Sequence, residues 1–480
     1  MNRRMIICMV GRIVSLEALL LLLPLTVSLV YREDCLWAFA AAIAAALVVG
    51  GAMALLSRPS SQVIFAKEGF VIVAIAWVLM SAIGALPFTL SGEVPSYIDA
   101  LFETVSGFTT TGASILPDPG RLSNGLLFWR SFTHWIGGMG VLVLVMALVP
   151  SGSGRTMHIL RAEMPGPIVG KLVPRVRDTA KILYIIYLAM TVVEVILLLC
   201  GGMDLFHSLV YSFGTAGTGG FSVSSAGVGE YSPYIQWVIA VFMLLFGVNF
   251  NLYYLILVRR FRTALRSREL WVYGLIVLIA SAVVTGNILS LCESFGEAVR
   301  LAVFQVASII TTTGYATTNF DLWPGLSKAV LLLLMFIGGC AGSTAGGLKV
   351  SRVQLLFAAV RRELQRLLHP RSVSAIRLDG KRVDETTING TTAYFALYAM
   401  LLAATFLAIC WEPFGFETNF TAAVTCLNNV GPGLGAVGPA GSFAAYSGFS
   451  KLILLLAMLF GRLEIYPLLF MLTPSTWTRK

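Results

Sequence analysis

Ten apolar runs constrain this 480-residue chain more than any other feature. Each approaches the roughly 20 residues that a helix needs to cross about 30 Å of hydrocarbon. They lie near residues 12–30, 36–56, 69–90, 126–149, 182–201, 234–258, 270–292, 327–348, 391–411 and 447–473. In lipid every backbone N–H and C=O must find a partner within the protein, so such runs become helices. The chain is 57% hydrophobic and 12% charged, where soluble domains carry roughly a quarter charged residues. Most of its length therefore cannot face water. That excludes a soluble enzyme, a disordered regulator and a disulfide-stapled secreted domain. The seven cysteines form no CxxC pair and lie mostly in apolar runs, where a thiol behaves as a small hydrophobe. The first run follows Arg3, Arg4 and Arg12 but has no small-residue cleavage site, so an uncleaved first helix is expected.

Charge orients the spans. Loops 151–181, 259–269 and 349–385 hold six, five and nine Lys/Arg, and the connections on the other side hold three, Arg32, Arg121 and Arg300. The positive-inside rule then puts both termini in the cytoplasm. The net charge of +10 reports polarity across a bilayer, and no nucleic-acid partner is expected. Acids such as Glu93, Asp99, Glu103, Asp204 and Glu230 map to the outer side, where they would concentrate cations at an entrance.

Four outer connections share one layout: an apolar segment too short to span, a Gly/Thr-rich run, then the next spanning helix. The short segments are Tyr97–Phe108, Asp204–Phe213, Gly296–Ile310 and Glu417–Leu427. The runs after them carry Thr110, Thr111 and Gly112; Thr218, Gly219 and Gly220; Thr312, Thr313 and Gly314; and Asn429, Val430 and Gly431. The last glycines of these runs are 108, 94 and 117 residues apart, and each has a second glycine in the following helix, at Gly137, Gly247, Gly338 and Gly461. Four matches in register indicate internal duplication. A helix that stops mid-membrane must turn back through irregular backbone, tolerated only when buried or lining a water-filled path. Its C-terminus carries about half a negative charge, which favours a cation beyond it. Four such turns around an axis would present rings of carbonyl oxygens that replace an ion's hydration shell.

At these runs the chain resembles the Trk/Ktr/HKT superfamily of potassium transporters. The likeness extends to Phe336–Lys349 and to Gly461–Ile465, and covers nearly the whole chain. Two helices ahead of the first repeat make it most similar to TrkH-type potassium uptake subunits. The resemblance implies an all-α polytopic membrane protein with four tandem membrane-pore-membrane repeats, channel-like and pseudo-fourfold. It implies boundaries at 1–66 (two-helix extension), 67–155, 156–262, 263–385 and 386–480 (the four repeats). It also implies a bacterial inner-membrane homodimer in contact with membrane lipids and a cytoplasmic nucleotide-binding regulatory ring, TrkA-like. The twelve residues Thr110–Gly112, Thr218–Gly220, Thr312–Gly314 and Asn429–Gly431 become a K+ selectivity filter. Serine at the first filter position is associated in the family with sodium, and this chain has Gly112. The transported K+ is the one bound species implied; no organic cofactor and no enzymatic activity are expected.

A gate is expected below the filter. The segment Gly338–Gly347 holds Gly338, Gly339, Gly342, Gly346 and Gly347 with Ser343 and Thr344. Glycine costs a helix roughly 1 kcal/mol per residue relative to alanine, so the helix should break there and the loop should occlude the path. Arg462 sits in an apolar run, where a charge costs several kcal/mol. Either it pairs with Glu464 or snorkels inward, or it faces the pore and repels cations; the resemblance supports the second. The basic segment Lys349–Arg382 and the loop 151–181 are the expected docking surfaces for the ring. Gly166–Lys171 echoes a phosphate-binding loop but is one residue short and lacks the following Ser/Thr. The competing reading is an ion-coupled (Na+ or H+) symporter of K+. Such carriers keep a carboxylate near the bilayer midplane. The spans hold few, Glu17, Glu194 and Glu464, and none is expected beside the four turns.

Overall fold

The computed structural model describes residues 2–57, 66–140, 176–370, 375–379 and 381–477. Helix α1 (Arg3–Leu20) begins where the Asn2 side chain accepts from the Met5 N–H and continues past Leu21 as α2 (Leu22–Tyr31), a 29-residue span. Helix α3 (Leu36–Leu56) returns alongside. The contact is set by paired glycines: a Cβ on Gly11 would lie 2.6 Å from the Gly50 carbonyl oxygen, and one on Gly50 2.7 Å from that of Gly11. Small residues let helix backbones approach closely where no hydrophobic drive separates lipid from protein.

The same order of elements then occurs four times. The first set is α4 (Ala66–Gly84) with the short α5 (Leu86–Leu90), then α6 (Tyr97–Phe108) and α7 (Asn124–Gly138). The second is α8 (Val176–Cys200), α9 (Leu205–Gly217), α10 (Pro233–Phe246) and α11 (Phe250–Leu257), with α12 (Phe261–Leu265) behind it. The third is α13 (Arg268–Ile288), α14 (Phe295–Ile310), α15 (Gly325–Ile337) and, beyond a non-helical loop, α16 (Val350–Leu368). The fourth is α17 (Glu385–Ile409), α18 (Phe416–Asn428), α19 (Gly448–Arg462) and α20 (Tyr466–Leu472). Ahead of α17 a two-residue antiparallel pairing joins Arg377–Leu378 to Lys381–Arg382. The short helices α6, α9 and α14 start where Ser96, Asp204 and Ser294 accept from the N–H of Asp99, His207 and Glu297. Each cap satisfies a donor that the first helical turn leaves orphaned.

Among the described residues, three of the ten expected spans are broken by a bend or a loop, and in a fourth, 126–149, the helix ends at Gly138. The run 234–258 bends by 91° between α10 and α11, where Asn249 caps the new helix by accepting from the Asn251 N–H at 2.9 Å. The run 447–473 bends by 120° between α19 and α20, through Glu464 and Ile465 at φ +58° and +64° and with Pro467 in the new first turn. The run 327–348 stops being helical at Ile337, and Gly338 turns it at φ +72°. Apolarity continues through all three breaks, so hydropathy alone reads each as one span. The later part of the fourth run, 141–149, lies outside the described residues, as do loop 151–175 and Gly166–Lys171. Among the described residues, six helices are long and apolar enough to cross a membrane alone, and up to eight if each bent pair counts as one. Only 17% of the apolar window of α17 and 22% of that of α3 is buried, against 67% for Lys67–Leu90. The outer spans thus offer apolar faces to lipid, and the short helices lie inside.

Candidate functional site

Each short helix runs at its C-terminus into a non-helical, three-residue strand. In all four strands the first and third residues have left-handed φ and the middle one does not. The angles are +52° and +77° at Thr110 and Gly112, and +55° and +77° at Thr218 and Gly220. They are +56° and +85° at Thr312 and Gly314, and +56° and +102° at Asn429 and Gly431. Such alternation aims successive peptide groups the same way instead of up and down a strand. The strands also close into a ring. A side chain on Gly112 would strike the carbonyl oxygen of Gly219, one on Gly220 that of Thr313, and one on Gly314 that of Val430. One on Gly431 would come within 2.7 Å of the Thr111 carbonyl oxygen, which returns the sequence of contacts to its start.

Side chains tie the strands from behind. The hydroxyls of Thr109 and Thr111 are 2.7 Å apart, and those of Thr311 and Thr313 are 2.8 Å apart. Asn429 Nδ2 donates to Thr111 Oγ1 and to the Met458 carbonyl, both at 2.9 Å. The Thr110 hydroxyl is buried without a protein partner. Above the ring lies a cavity of ≈ 330 Å³ lined by Gly112, Gly220, Gly314, Gly431 and Arg130.

The loop Gly338–Gly347 is stitched to the second, third and fourth sets of helices. The Cys340 N–H donates to the Gly247 carbonyl at 2.9 Å, and the Phe250 N–H donates to the Gly342 carbonyl at 3.0 Å. Thr344 Oγ1 donates to the Phe246 carbonyl, 3.2 Å. The Gly346 N–H donates to the Thr312 hydroxyl at 2.6 Å, which seats the loop against the inner end of the third strand. The Gly347 N–H donates to the Asn428 carbonyl at 3.0 Å, at the end of α18. Ser343 Oγ closes the loop on itself through the Cys340 carbonyl, 2.6 Å, and the Gly339 carbonyl accepts from the Val350 N–H, 3.0 Å.

Arg462 completes the stitching. Its guanidinium donates to the Thr344 carbonyl at 2.8 Å and to the Gly137 and Gly138 carbonyls at 2.5 and 2.6 Å. It joins the fourth set to the loop and to the end of α7. Its expected alternative partner is engaged elsewhere: Glu464 takes Arg352 on both carboxylate oxygens, and the Arg352 guanidinium lies 4.1 Å from the centre of the Tyr394 ring.

Glu17 and Glu194, placed away from the four turns by sequence, lie against two of the short helices. Space at Gly84 is closed by Glu17 together with Thr104 and Phe108 of α6. Glu194 sits beside Thr215 of α9, whose hydroxyl donates instead to the Tyr211 carbonyl at 2.9 Å. Both carboxylates are fully buried. Helices distant in sequence wrap the short ones, and single-span reasoning does not show which face of each turns inward.

Residues 36–477 match the family model described as TrkH, a cation transport protein. The chain belongs to the TrkH family. It is 38% identical to the Trk system potassium uptake protein TrkH of Escherichia coli strain K12, over 99% of this chain and all of that one. It is 32% identical to the Trk system potassium uptake protein TrkI of Halomonas elongata, over 96% of this chain and 94% of that one. The crystal structure of the potassium transporter TrkH from Vibrio parahaemolyticus matches it with a TM-score of 0.89 at 34% identity, covering both chains fully. The family match and the helical, lipid-facing spans make this TrkH-family chain a multi-pass membrane protein.

Several residues of this TrkH-family chain escaped sequence reasoning. Arg130 lies within an apolar run and pairs with Glu103 at 2.5 Å, both side chains nearly fully buried. Its charge in a span was the available signal. Glu269 accepts from the Ala341 N–H at 2.7 Å and the Ser351 N–H at 3.1 Å, so one carboxylate ties the loop to the first turn of α16. Lys349, expected to open the basic docking segment, is instead buried and donates to the Ala345 carbonyl. Nothing in the spacing of Glu269 or Lys349 distinguishes them from orienting charges.

Proposed function

We propose that this chain is the ion-conducting subunit of a Trk-type potassium uptake system in the bacterial inner membrane, with both termini cytoplasmic. The closed ring of four strands, with matching left-handed positions, is the observation that carries the reading. In it the twelve residues from Thr110–Gly112, Thr218–Gly220, Thr312–Gly314 and Asn429–Gly431 are the K+ filter, and K+ is cargo. The chain performs no covalent chemistry, and its parts divide at residues 66, 155, 262 and 385. The names of its relatives, potassium uptake proteins of Trk systems, support the choice of ion.

The gate is the loop Gly338–Gly347, held shut against Thr312 by Gly346 and cross-braced by Arg462. A guanidinium below the filter also repels cations. Opening requires the loop to leave, and α16, joined to it through Lys349, is the lever. A cytoplasmic nucleotide-binding ring, TrkA-like, would pull on that lever from loop 151–181 and from the part of Lys349–Arg382 beyond the buried Lys349 and Arg352, and two copies of the chain would share it. Flux of K+, Rb+ and Na+ into vesicles holding the purified chain tests the reading. K+ and Rb+ should enter and Na+ should lag; equal rates for all three would reject the filter.

A second reading, an ion-coupled symporter of K+, is favoured by the burial of Glu17 and Glu194 against α6 and α9. It differs in one measurable respect, the dependence of the reversal potential on a second ion.

A further inference from the structure

One buried ion pair joins two of the four strands from outside the ring. Glu103, on α6, accepts from Arg130 Nε at 2.5 Å, from Ser114 Oγ at 2.9 Å and from the Ile115 N–H at 2.9 Å. It therefore holds the backbone just beyond the first strand. Arg130, on α7, passes the connection to the second strand: its Nη1 donates to the Ser222 carbonyl at 2.8 Å. The guanidinium also lies 3.6 Å from the centre of the Phe221 ring, next to Gly220. One turn along α7, His134 stacks on the same ring with centroids 4.1 Å apart, and a side chain on Gly219 would run into the imidazole. Helix α7 is thus flush against the second strand from Gly219 to Ser222.

The other three sets have no such pair. Nine residues before the strand glycine, where the first set has Glu103, the others have Tyr211, Gln305 and Ala422. Seven residues before the helix glycine, where the first has Arg130, they have Ala240, Leu331 and Leu454. A buried ion pair is seldom more stabilising than a hydrophobic pair of the same volume. Its use lies in geometry, since charge-assisted hydrogen bonds fix both distance and direction. At this place it fixes where two adjacent strands sit relative to each other.

We propose that Glu103 and Arg130 are positioning residues that lock the outer ends of the first two strands together and so set the preference for K+ over Na+. This rests on the filter assignment above. The bridge holds the carbonyls of these strands at the spacing a larger, dehydrated cation requires, and without it the first-to-second side of the ring can close on a smaller one. Electrostatics alone would act differently. An unpaired Arg130 beside the outer cavity repels every monovalent cation alike, lowering flux without changing the ratio.

The test uses the full chain in vesicles, with initial uptake of K+ and Na+ measured for Glu103→Gln, Arg130→Lys and Gly112→Ser side by side. Arg130→Lys keeps the charge pair but cannot reach Glu103 and Ser222 together. Glu103→Gln and Arg130→Lys should each lower the K+/Na+ uptake ratio by about tenfold, the scale of one charge-assisted hydrogen bond. An unchanged ratio in both, with a reduced ratio in Gly112→Ser, overturns the clamp and leaves the filter standing. An unchanged ratio in all three overturns the filter and the clamp with it. If Glu103→Gln does not reach the membrane, Arg130→Lys and Ser114→Ala decide. Ser114→Ala removes the hydroxyl that donates to Glu103 and accepts from the Leu116 N–H, with no change of charge, and unchanged ratios in this pair overturn the proposal.

Discussion

Gly112 combines two constraints that a side chain cannot meet: a left-handed φ of +77° and a neighbouring strand whose Gly219 carbonyl occupies the space of a Cβ. Left-handed backbone costs a residue with a side chain about 1–2 kcal/mol, and the collision adds to it. Gly112→Ser must therefore displace the second strand, and we expect the K+/Na+ flux ratio to fall by about tenfold, the equivalent of about 1.4 kcal/mol. Gly274→Ala, at a glycine with nothing within 4 Å, is the matched control and should leave the ratio where it is. Arg462 belongs to the same scale. Its bond to Thr344 exists only while the loop is in place, and its bonds to Gly137 and Gly138 hold it from α7. A hydrogen bond from a charged group contributes about 1.5–3 kcal/mol, so Arg462→Ala should favour the open path by about tenfold. Rubidium uptake by the isolated chain would register that as a rise. A fall, in protein that elutes as the parent does, would show that Arg462 supports the path instead of closing it.

At the scale of elements, the loop Gly338–Gly347 behaves as a plug on a narrow neck. Its two ends meet, since a Cβ on Gly347 would lie 2.8 Å from the Gly338 Cα. Removing Ala341–Gly346 can therefore rejoin the chain without pulling α15 from α16. The deletion eliminates the Gly346 contact with Thr312 and the Thr344 contact with Arg462. Flux through the isolated chain should rise by about tenfold or more if each is a bond of ordinary strength, and unchanged flux in folded protein would remove the loop from the gating account. This loop was legible in the sequence because five glycines in ten residues cannot stay helical. The four strands were legible because their glycines recur in register. The bends at Asn249 and Glu464 were not, because Leu, Phe and Ile continue on both sides and the turn depends on a cap and two backbone angles. Nor was Glu269 as the loop's anchor, since its two bonds are to backbone 72 and 82 residues away.

For the whole molecule, the outer spans face lipid and the polar groups lie inward, so the question of mechanism comes down to which inward carboxylates exchange protons with transport. Glu17 and Glu194 are the groups in question: both are buried, and they lie against α6 and α9. Neither lies on the ring, however. Glu194 lies beside Thr215 of α9, and Glu17 lies beside Thr104 and Phe108 of α6. A carboxylate behind a pore helix stabilises or strains that helix without meeting the ion, so conduction should follow the potassium gradient alone. Across a planar bilayer with a tenfold K+ gradient, the current should reverse near 59 mV in magnitude. A tenfold proton gradient imposed at the same time should leave that value in place. A one-to-one proton symporter would reverse midway between the potassium and proton equilibrium potentials, so the same proton gradient would move it by about 30 mV. Glu194→Gln and Glu17→Gln locate the cause of any shift. If the wild-type reversal moves with pH and either substitution abolishes the movement, that carboxylate couples protons to potassium and the open-path reading fails.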